Sequence, residues 1–301
     1  MRVAPKDGFI ETVPNKKLLA LLEEHIKNPN PNPPEPKLAS TVMLVRNSVP
    51  GQTPYRIEDN EFPDDFPNNQ NLEVFMLRRV KSMAFVPDAV VYPGGRVDER
   101  DSNPDLPWFG PTPEQWAEYM SISVDDARRV VVAAAREVFE ECGVLLAGPS
   151  GEELVRDLSD SSWAEERKAL ERHELSFADM LIARGLVLRT DLLGLVSNWC
   201  TPTFEPRRYD TFFFSALMPE GQSADGNTSE AQIADWVTPS YAMRESDRGS
   251  WLVVPPTIYN LTRIAQASNA ELFVNNREKV KKYIFEPTIK EDGEIVLRTE
   301  A

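Results

Sequence analysis

Arg136, Glu137, Glu140 and Glu141 fall within six consecutive positions of the stretch REVFEECGVLL (136–146). On a helix, positions i, i+3 and i+4 share one side, so the three carboxylates form a single acidic arc beside a guanidinium. Carboxylates this close repel one another. They also crowd the C-terminal half of the helix, where the dipole favours cations. A face kept for solubility would interleave lysines, and none lies between 124 and 142. A hard divalent cation removes the conflict, because Mg2+ prefers oxygen ligands and commonly uses a few carboxylates together with substrate phosphates. The competing reading is a solvated helix face, the usual setting of paired glutamates.

The helix that must hold these groups is well marked. Ser123 suits the N-cap, Asp125 and Asp126 suit the positive first turn, and Gly143 suits a left-handed end. Val131, Ala134, Ala135, Val138 and Cys142 share one arc and make the expected buried stripe. Strands over 38–46 and 72–80 precede the helix. AVVYPGGRVDERD (89–101) reads as a short strand followed by a Pro-Gly-Gly turn. Residues 102–122 interrupt, with one short helix capped by Thr112 and opened by Pro113. Residues 151–185 read as mainly helical. LLGLVSNWCTP, YDTFFFSALMP and AQIADWVTP read as strands with proline stops, PPTIYNLTRIAQA as a final helix, and a charged tail follows. At the other end, residues 14–27 make a short amphipathic helix. NPNPNPPEPK (28–37) must be extended, because proline blocks helix and sheet bonding. The elements lack the regular βαβ rhythm of a doubly wound fold, so a mixed α/β sandwich is expected.

The totals narrow the function. The 301 residues carry 33 basic and 48 acidic side chains, a net charge of −15. That balance argues against a general nucleic-acid binder, whose affinity comes from neutralising phosphates. No run approaches a membrane-spanning length, and the N-terminus lacks an apolar signal core. Cys142 and Cys200 form no metal-spacing motif and require no disulfide, so a reducing cytosol is the expected setting. His25 and His173 are the only histidines, and both sit in charged helical stretches. That argues against histidine catalysis. No G-x-S-x-G elbow or phosphate-binding P-loop is present. Trp108, Trp116 and Trp163 read as core anchors.

The string Arg136-Glu137, then Glu140-Glu141, then Gly143 and an apolar residue resembles the second half of the Nudix box. By average residue frequencies such a string arises on the order of 10⁻⁷ times per start position. In Nudix hydrolases the box runs glycine, five residues, glutamate, seven residues, and then the Arg-Glu string. Here Pro93-Gly94-Gly95 stands where the glycine is expected, and the position six after Gly95 is Asp101, not glutamate. The gap from Asp101 to Arg136 holds 34 residues instead of seven. This departure resembles a long-insertion Nudix branch that includes a peroxisomal coenzyme A diphosphatase. WCTPTFEPRRYDTFFFSAL and SEAQIADWVTPSYAM resemble further stretches of that branch, so the likeness spans roughly 38–265.

The resemblance implies an α/β/α sandwich with a mixed sheet. A hydrolase domain over 38–301, with helical insertions at about 102–122 and 147–188, would follow an N-terminal helix and linker over 1–37. It implies Mg2+ or Mn2+ and attack of a metal-activated water on a diphosphate. Glu137, Glu140 and Glu141 would ligate metal, and Arg136 would orient them. Which glutamate is the base stays open. Gly95 would let the backbone pass close to the metal, Asp101 would hold the helix and Arg136 from the loop, and Gly143 would close the box. Arg207 and Arg208 would clamp a substrate phosphate by forked hydrogen bonds; the other reading is a surface pair beside Asp210. Glu230 is a candidate base, with a solvated loop residue as its other reading. Coenzyme A or acyl-coenzyme A is the expected substrate. ADP-ribose, a dinucleotide or a nucleotide sugar would keep the same chemistry, and a Nudix-fold binding or regulatory module without hydrolysis is the reading of a different class. The expected partner is a small-molecule diphosphate, with no nucleic acid and no membrane. A cytoplasmic setting is expected, and a homodimer is an open option.

Overall fold

The computed structural model describes all residues except 1–4, 15, 50, 52, 54, 58–69, 81–86 and 229–230. Its main sheet contains β1 (Lys37–Asn47), β2 (Leu72–Arg79), β3 (Val90–Val91), β4 (Gly94–Arg96), β5 (Leu193–Cys200), β6 (Tyr209–Leu217), β7 (Ala231–Val237) and β8 (Lys282–Ile284). The order is β7-β2-β1-β6-β5-β8, with β3 paired to β2 and β4 to β1. The sheet is mixed: β1–β6 and β5–β8 are parallel, while β1–β2, β2–β7 and β5–β6 are antiparallel. The period of two along β1 sends Val42 and Leu44 to one face and Met43 and Val45 to the other.

The helices are α1 (Lys16–Lys27), α2 (Pro113–Met120), α3 (Val124–Cys142), α4 (Ser161–Glu171), α5 (Phe177–Ala183), α6 (Pro239–Asp247), α7 (Pro255–Gln266) and α8 (Ala270–Val274). On one sheet face, Trp116 of α2 and Val131, Ala134 and Val138 of α3 pack against Val42, Leu44, Phe212 and Phe214. On the other, Met243 of α6 and Ile258, Leu261 and Ile264 of α7 pack against Met43, Val45 and Phe213. The result is the expected α/β/α sandwich.

Helix α3 is covered on a second side as well. Val132, Ala135 and Phe139 join Trp163 and Leu170 of α4 and Phe177 and Leu181 of α5. Ala135 therefore leaves the sheet-facing stripe, because a helix wedged between two layers needs two apolar stripes. The run 151–185 is helical only at Ser161–Glu171 and Phe177–Ala183. Beyond it, Val187–Arg189 pairs with Trp108–Phe109 from the first insertion and with Ala147–Gly148. One small sheet thus joins the two insertions, and two-residue strands leave no period to read in advance.

The segment after α7 is not a plain charged tail. Glu286–Ile289 pairs with Ile295–Glu300, and Ile295–Glu300 pairs in turn with Phe9–Thr12. Ile10 and Leu22 are buried in the cluster under α6 and α7, so the N-terminal stretch packs on the body of the molecule.

Candidate active site

The Pro-Gly-Gly segment is an extended strand, not a turn: Gly94 pairs with Thr41 and Gly95 with Ser40. Close approach explains the glycines. A Cβ on Gly95 would stand 2.6 Å from the carboxyl carbon of Glu137, and one on Gly94 would stand 2.5 Å from the Ser40 carbonyl oxygen. The bare backbone also supplies a donor, since Gly94 N–H donates to Glu141 Oε2 at 2.8 Å.

Helix α3 delivers the remaining groups. Ser123 Oγ accepts from Asp126 N at its start, and Gly143 ends it at φ 68°. The fork of Arg136 then spends its donors on the box itself. Nε donates to Asp101 Oδ1 at 2.9 Å, and Nη2 donates to Asp101 Oδ2 at 3.2 Å and to the Arg96 carbonyl at 3.0 Å. Nη1 donates to Glu137 Oε1 at 2.7 Å and to Glu140 Oε1 at 3.2 Å. The two halves of the split box therefore meet across the insertion. Asp101 is itself fixed in the short turn Glu99–Ser102, where its Oδ2 accepts from Asp98 N at 2.8 Å in a capping box.

Asp101, Arg136, Glu137 and Glu141 are each less than a tenth exposed. Arg136 pairs with three of these carboxylates, Asp101, Glu137 and Glu140. Burial pushes the Glu137 carboxyl up to about 7; Arg136 opposes the shift and Glu140 adds to it. Burial also raises Glu140 and Asp101, again against the pull of Arg136. For Arg136, burial works against the charge, but Glu137, Asp101 and Glu140 outweigh it and hold the guanidinium charged. The site thus carries surplus negative charge in a poorly hydrated place, a condition a cation relieves. Among the described residues no three metal-binding side chains converge on a single point. Glu137 and Glu140 face Arg136, and Glu141 faces the Gly94 N–H.

The second insertion reaches the same helix end. Arg167 of α4 donates from Nε to the Glu140 carbonyl at 2.8 Å and from Nη1 to Asp225 Oδ1 at 2.6 Å. Arg100 in the box loop donates to the His173 carbonyl at 2.7 Å, and Asn103 donates to Asp179 Oδ1 at 3.1 Å. Sequence reasoning missed Arg167 and Asp225. Arg167 stands among many charges in SSWAEERKALERHE, and Asp225 in an ordinary polar loop, so neither has a distinguishing spacing.

The other candidates lie elsewhere. Arg207 is exposed at the approach to β6. Arg208 is half-buried and donates to the Thr201 carbonyl at 3.0 Å, the Pro34 carbonyl at 2.9 Å and Cys200 Sγ at 3.6 Å. Asp210 bonds to Asn198 and Lys282. Glu230 lies outside the described residues. Trp116 and Trp163 are buried, each in a different cluster, and Trp108 packs partly buried between them. Both cysteines are free and buried. Among the described residues no helix is long and apolar enough to cross a membrane.

Comparison with known proteins agrees with this geometry. The family profile of the NUDT19 Nudix domain matches residues 107–264. The chain is similar to acyl-coenzyme A diphosphatase NUDT19 of Xenopus laevis, 25% identical over 277 residues, covering 80% of this chain and 73% of that one. It is 26% identical over 242 residues to the Homo sapiens protein of the same name, covering 67% of this chain and 63% of that one. Among solved structures, a NUDIX hydrolase from Alicyclobacillus acidocaldarius superposes with a TM-score of 0.63 at 23% identity, covering 82% of this chain and 99% of that one. The Arg-Glu helix wedged against a glycine strand, the sandwich that holds it and the family match over more than half of the chain lead to one conclusion: this protein belongs to the NUDT19 family of Nudix hydrolases.

Proposed function

We propose that this enzyme hydrolyses the diphosphate of coenzyme A or an acyl-coenzyme A with the help of Mg2+ or Mn2+. The observation that carries the reading is the set of four carboxylates, Asp101, Glu137, Glu140 and Glu141, gathered around the single fork of Arg136 and the Gly94 N–H. The relatives named as acyl-coenzyme A diphosphatases supply the substrate class. Residues 38–301 are read as one hydrolase domain that carries both insertions, and the buried free cysteines suit a reducing cytoplasm.

Glu137, Glu140 and Glu141 would hold the ion. The donors are all hard oxygens, and their surplus charge fits a divalent cation. When bound there, such an ion lowers the pKa of a water and neutralises phosphate charge. The chain's own groups do the rest. Arg136 keeps Glu137 and Glu140 in one orientation, Asp101 sets the plane of the Arg136 fork, and Gly94 N–H turns Glu141 toward β4. The missing side chain of Gly95 leaves room for the Glu137 carboxylate. Glu230 stays the candidate base outside the box. Coenzyme A also carries a 3′-phosphate, and the exposed Arg207 is the member of the arginine pair we assign to it. The donors of Arg208 that bond to the chain itself act as a clip.

A hydrolysis panel tests the proposal: coenzyme A, short and long acyl-coenzyme A, NADH, ADP-ribose, diadenosine polyphosphates and nucleotide sugars, each with Mg2+ and Mn2+. The expected result is release of 3′,5′-ADP and a phosphopantetheine product at the highest kcat/KM. Glu140→Gln should lower turnover by more than the roughly 10- to 100-fold that changes outside the ligand set usually cost. A preference for ADP-ribose or a nucleotide sugar replaces the substrate. No turnover by a metal-loaded enzyme makes the protein a binding module.

A further inference from the structure

The C-terminal end of α3 is held by Gly143 of the box and by two residues outside it. The last carbonyls of a helix have no partner within it. Here Gly143 N caps Phe139 O at 3.0 Å, Asp225 N caps Cys142 O at 2.9 Å, and Arg167 Nε caps Glu140 O at 2.8 Å. Arg167 also bonds to the Asp225 side chain at 2.6 Å, so one guanidinium joins three segments: the second insertion, the last turn of α3 and the loop around 225. Space for it is tight, because a Cβ on Gly143 would stand 2.7 Å from Arg167 Nη1. Arg167 thus bonds to the backbone of Glu140 itself and, with Asp225, borders the carboxylate cluster.

We propose that Arg167 is a positioning residue for the metal site: from the second insertion it holds the last turn of α3, and with it Glu140 and Glu141, in the register that binds a divalent cation. This rests on the metal-binding reading above. Two observations separate it from a simple helix cap. Among the described residues, the Nη2 group of Arg167 is buried without a hydrogen-bond partner. Such an orphan donor is costly, and a residue kept for stability alone gains nothing from it. The body that carries Arg167 is also fixed to the other half of the box through the Arg100–His173 contact, and to the first insertion through the pairing of Trp108–Phe109 with Val187–Arg189. The insertions therefore brace both ends of the split motif.

The sign of the effect makes the test decisive. A cation beside a metal site repels the metal, so removing charge alone tightens binding. Loss of positioning loosens it. Mn2+ affinity is read by electron paramagnetic resonance on wild type, Arg167→Ala and Arg167→Lys, with thermal unfolding to confirm that each is folded. The expected result is binding about 10- to 100-fold weaker in Arg167→Ala. Arg167→Lys should also bind more weakly, because one ammonium keeps the charge but cannot reproduce the fork between Glu140 O and Asp225. Unchanged or tighter Mn2+ binding in either folded variant overturns the proposal. If Arg167→Ala does not fold, Arg167→Lys carries the test. A wild type that binds Mn2+ but cleaves no diphosphate defeats the hydrolase reading while the affinities still decide this one. A wild type that binds no Mn2+ defeats both.

Discussion

Arg136 and Arg208 are both arginines whose forks bond to their own chain, yet they sit in opposite electrostatic settings. Around Arg136 the acceptors are carboxylates, those of Asp101, Glu137 and Glu140, with one carbonyl. Around Arg208 they are the carbonyls of Thr201 and Pro34 and the sulfur of Cys200. The first arrangement gathers more buried carboxylates than one guanidinium neutralises, a charge balance that a cation would relieve. The second bonds to uncharged acceptors, and it ties the proline-rich linker to the end of β5. Two forks of similar geometry thus do different work, and the charge of their acceptors decides which. An adjacent arginine pair in a loop does not announce a phosphate site; a guanidinium outnumbered by carboxylates on one helix turn is far more telling.

The sharpest way to break this comparison is to remove each fork. Arg136→Ala strands several buried carboxylates, and should destabilise the metal-free protein by about 3–5 kcal/mol in chemical denaturation. Excess Mn2+ should restore part of that loss. Arg208→Ala removes bonds to neutral groups at a half-exposed position. Equal losses in the two variants would show that acceptor charge does not matter.

A second, smaller effect is the pH dependence of the metal-free enzyme. Burial pushes the Glu137 carboxyl from its ordinary 4.5 up to about 7 in the folded protein. The folded state therefore holds its proton more tightly than the unfolded state. The stability contributed by this group is fully present below about 4.5 and is lost as pH rises to about 7, a fall on the order of 1–3 kcal/mol. Urea unfolding across that range should show the decline. Glu137→Gln should shrink it, leaving the smaller contributions of Glu140 and Asp101, which burial also raises, and Arg208→Ala should leave it intact. A stability that rises through the window would refute the assignment.

The smallest expected effect concerns the arginine pair. Arg208→Ala should cost about 1 kcal/mol of stability and raise KM equally for coenzyme A and its dephospho form. Arg207→Ala should raise KM more for coenzyme A than for dephospho-coenzyme A at unchanged kcat. A selective KM effect from Arg208 instead would return the phosphate role to it.

Sequence alone determined the features whose partners are close in the chain. The caps of α2 and α3 lie within four residues of the groups they satisfy, so Thr112, Ser123 and Gly143 announce both helices. The apolar runs of β1, β2, β5, β6 and β7 carry their own period, and the Arg-Glu string is complete within one helix. Tertiary structure alone decided the rest. It gave the Asp101–Arg136 contact that the resemblance implied its actual geometry, and it put Gly94 and Gly95 in an extended strand where a turn was expected. It paired residues 9–12 with 295–300, chose Arg167 from a run of similar charges, and engaged Arg208 with the linker. These contacts link segments tens to hundreds of residues apart. They leave no periodic trace in either segment, because short polar strands and single charged side chains take their meaning from what folding brings beside them.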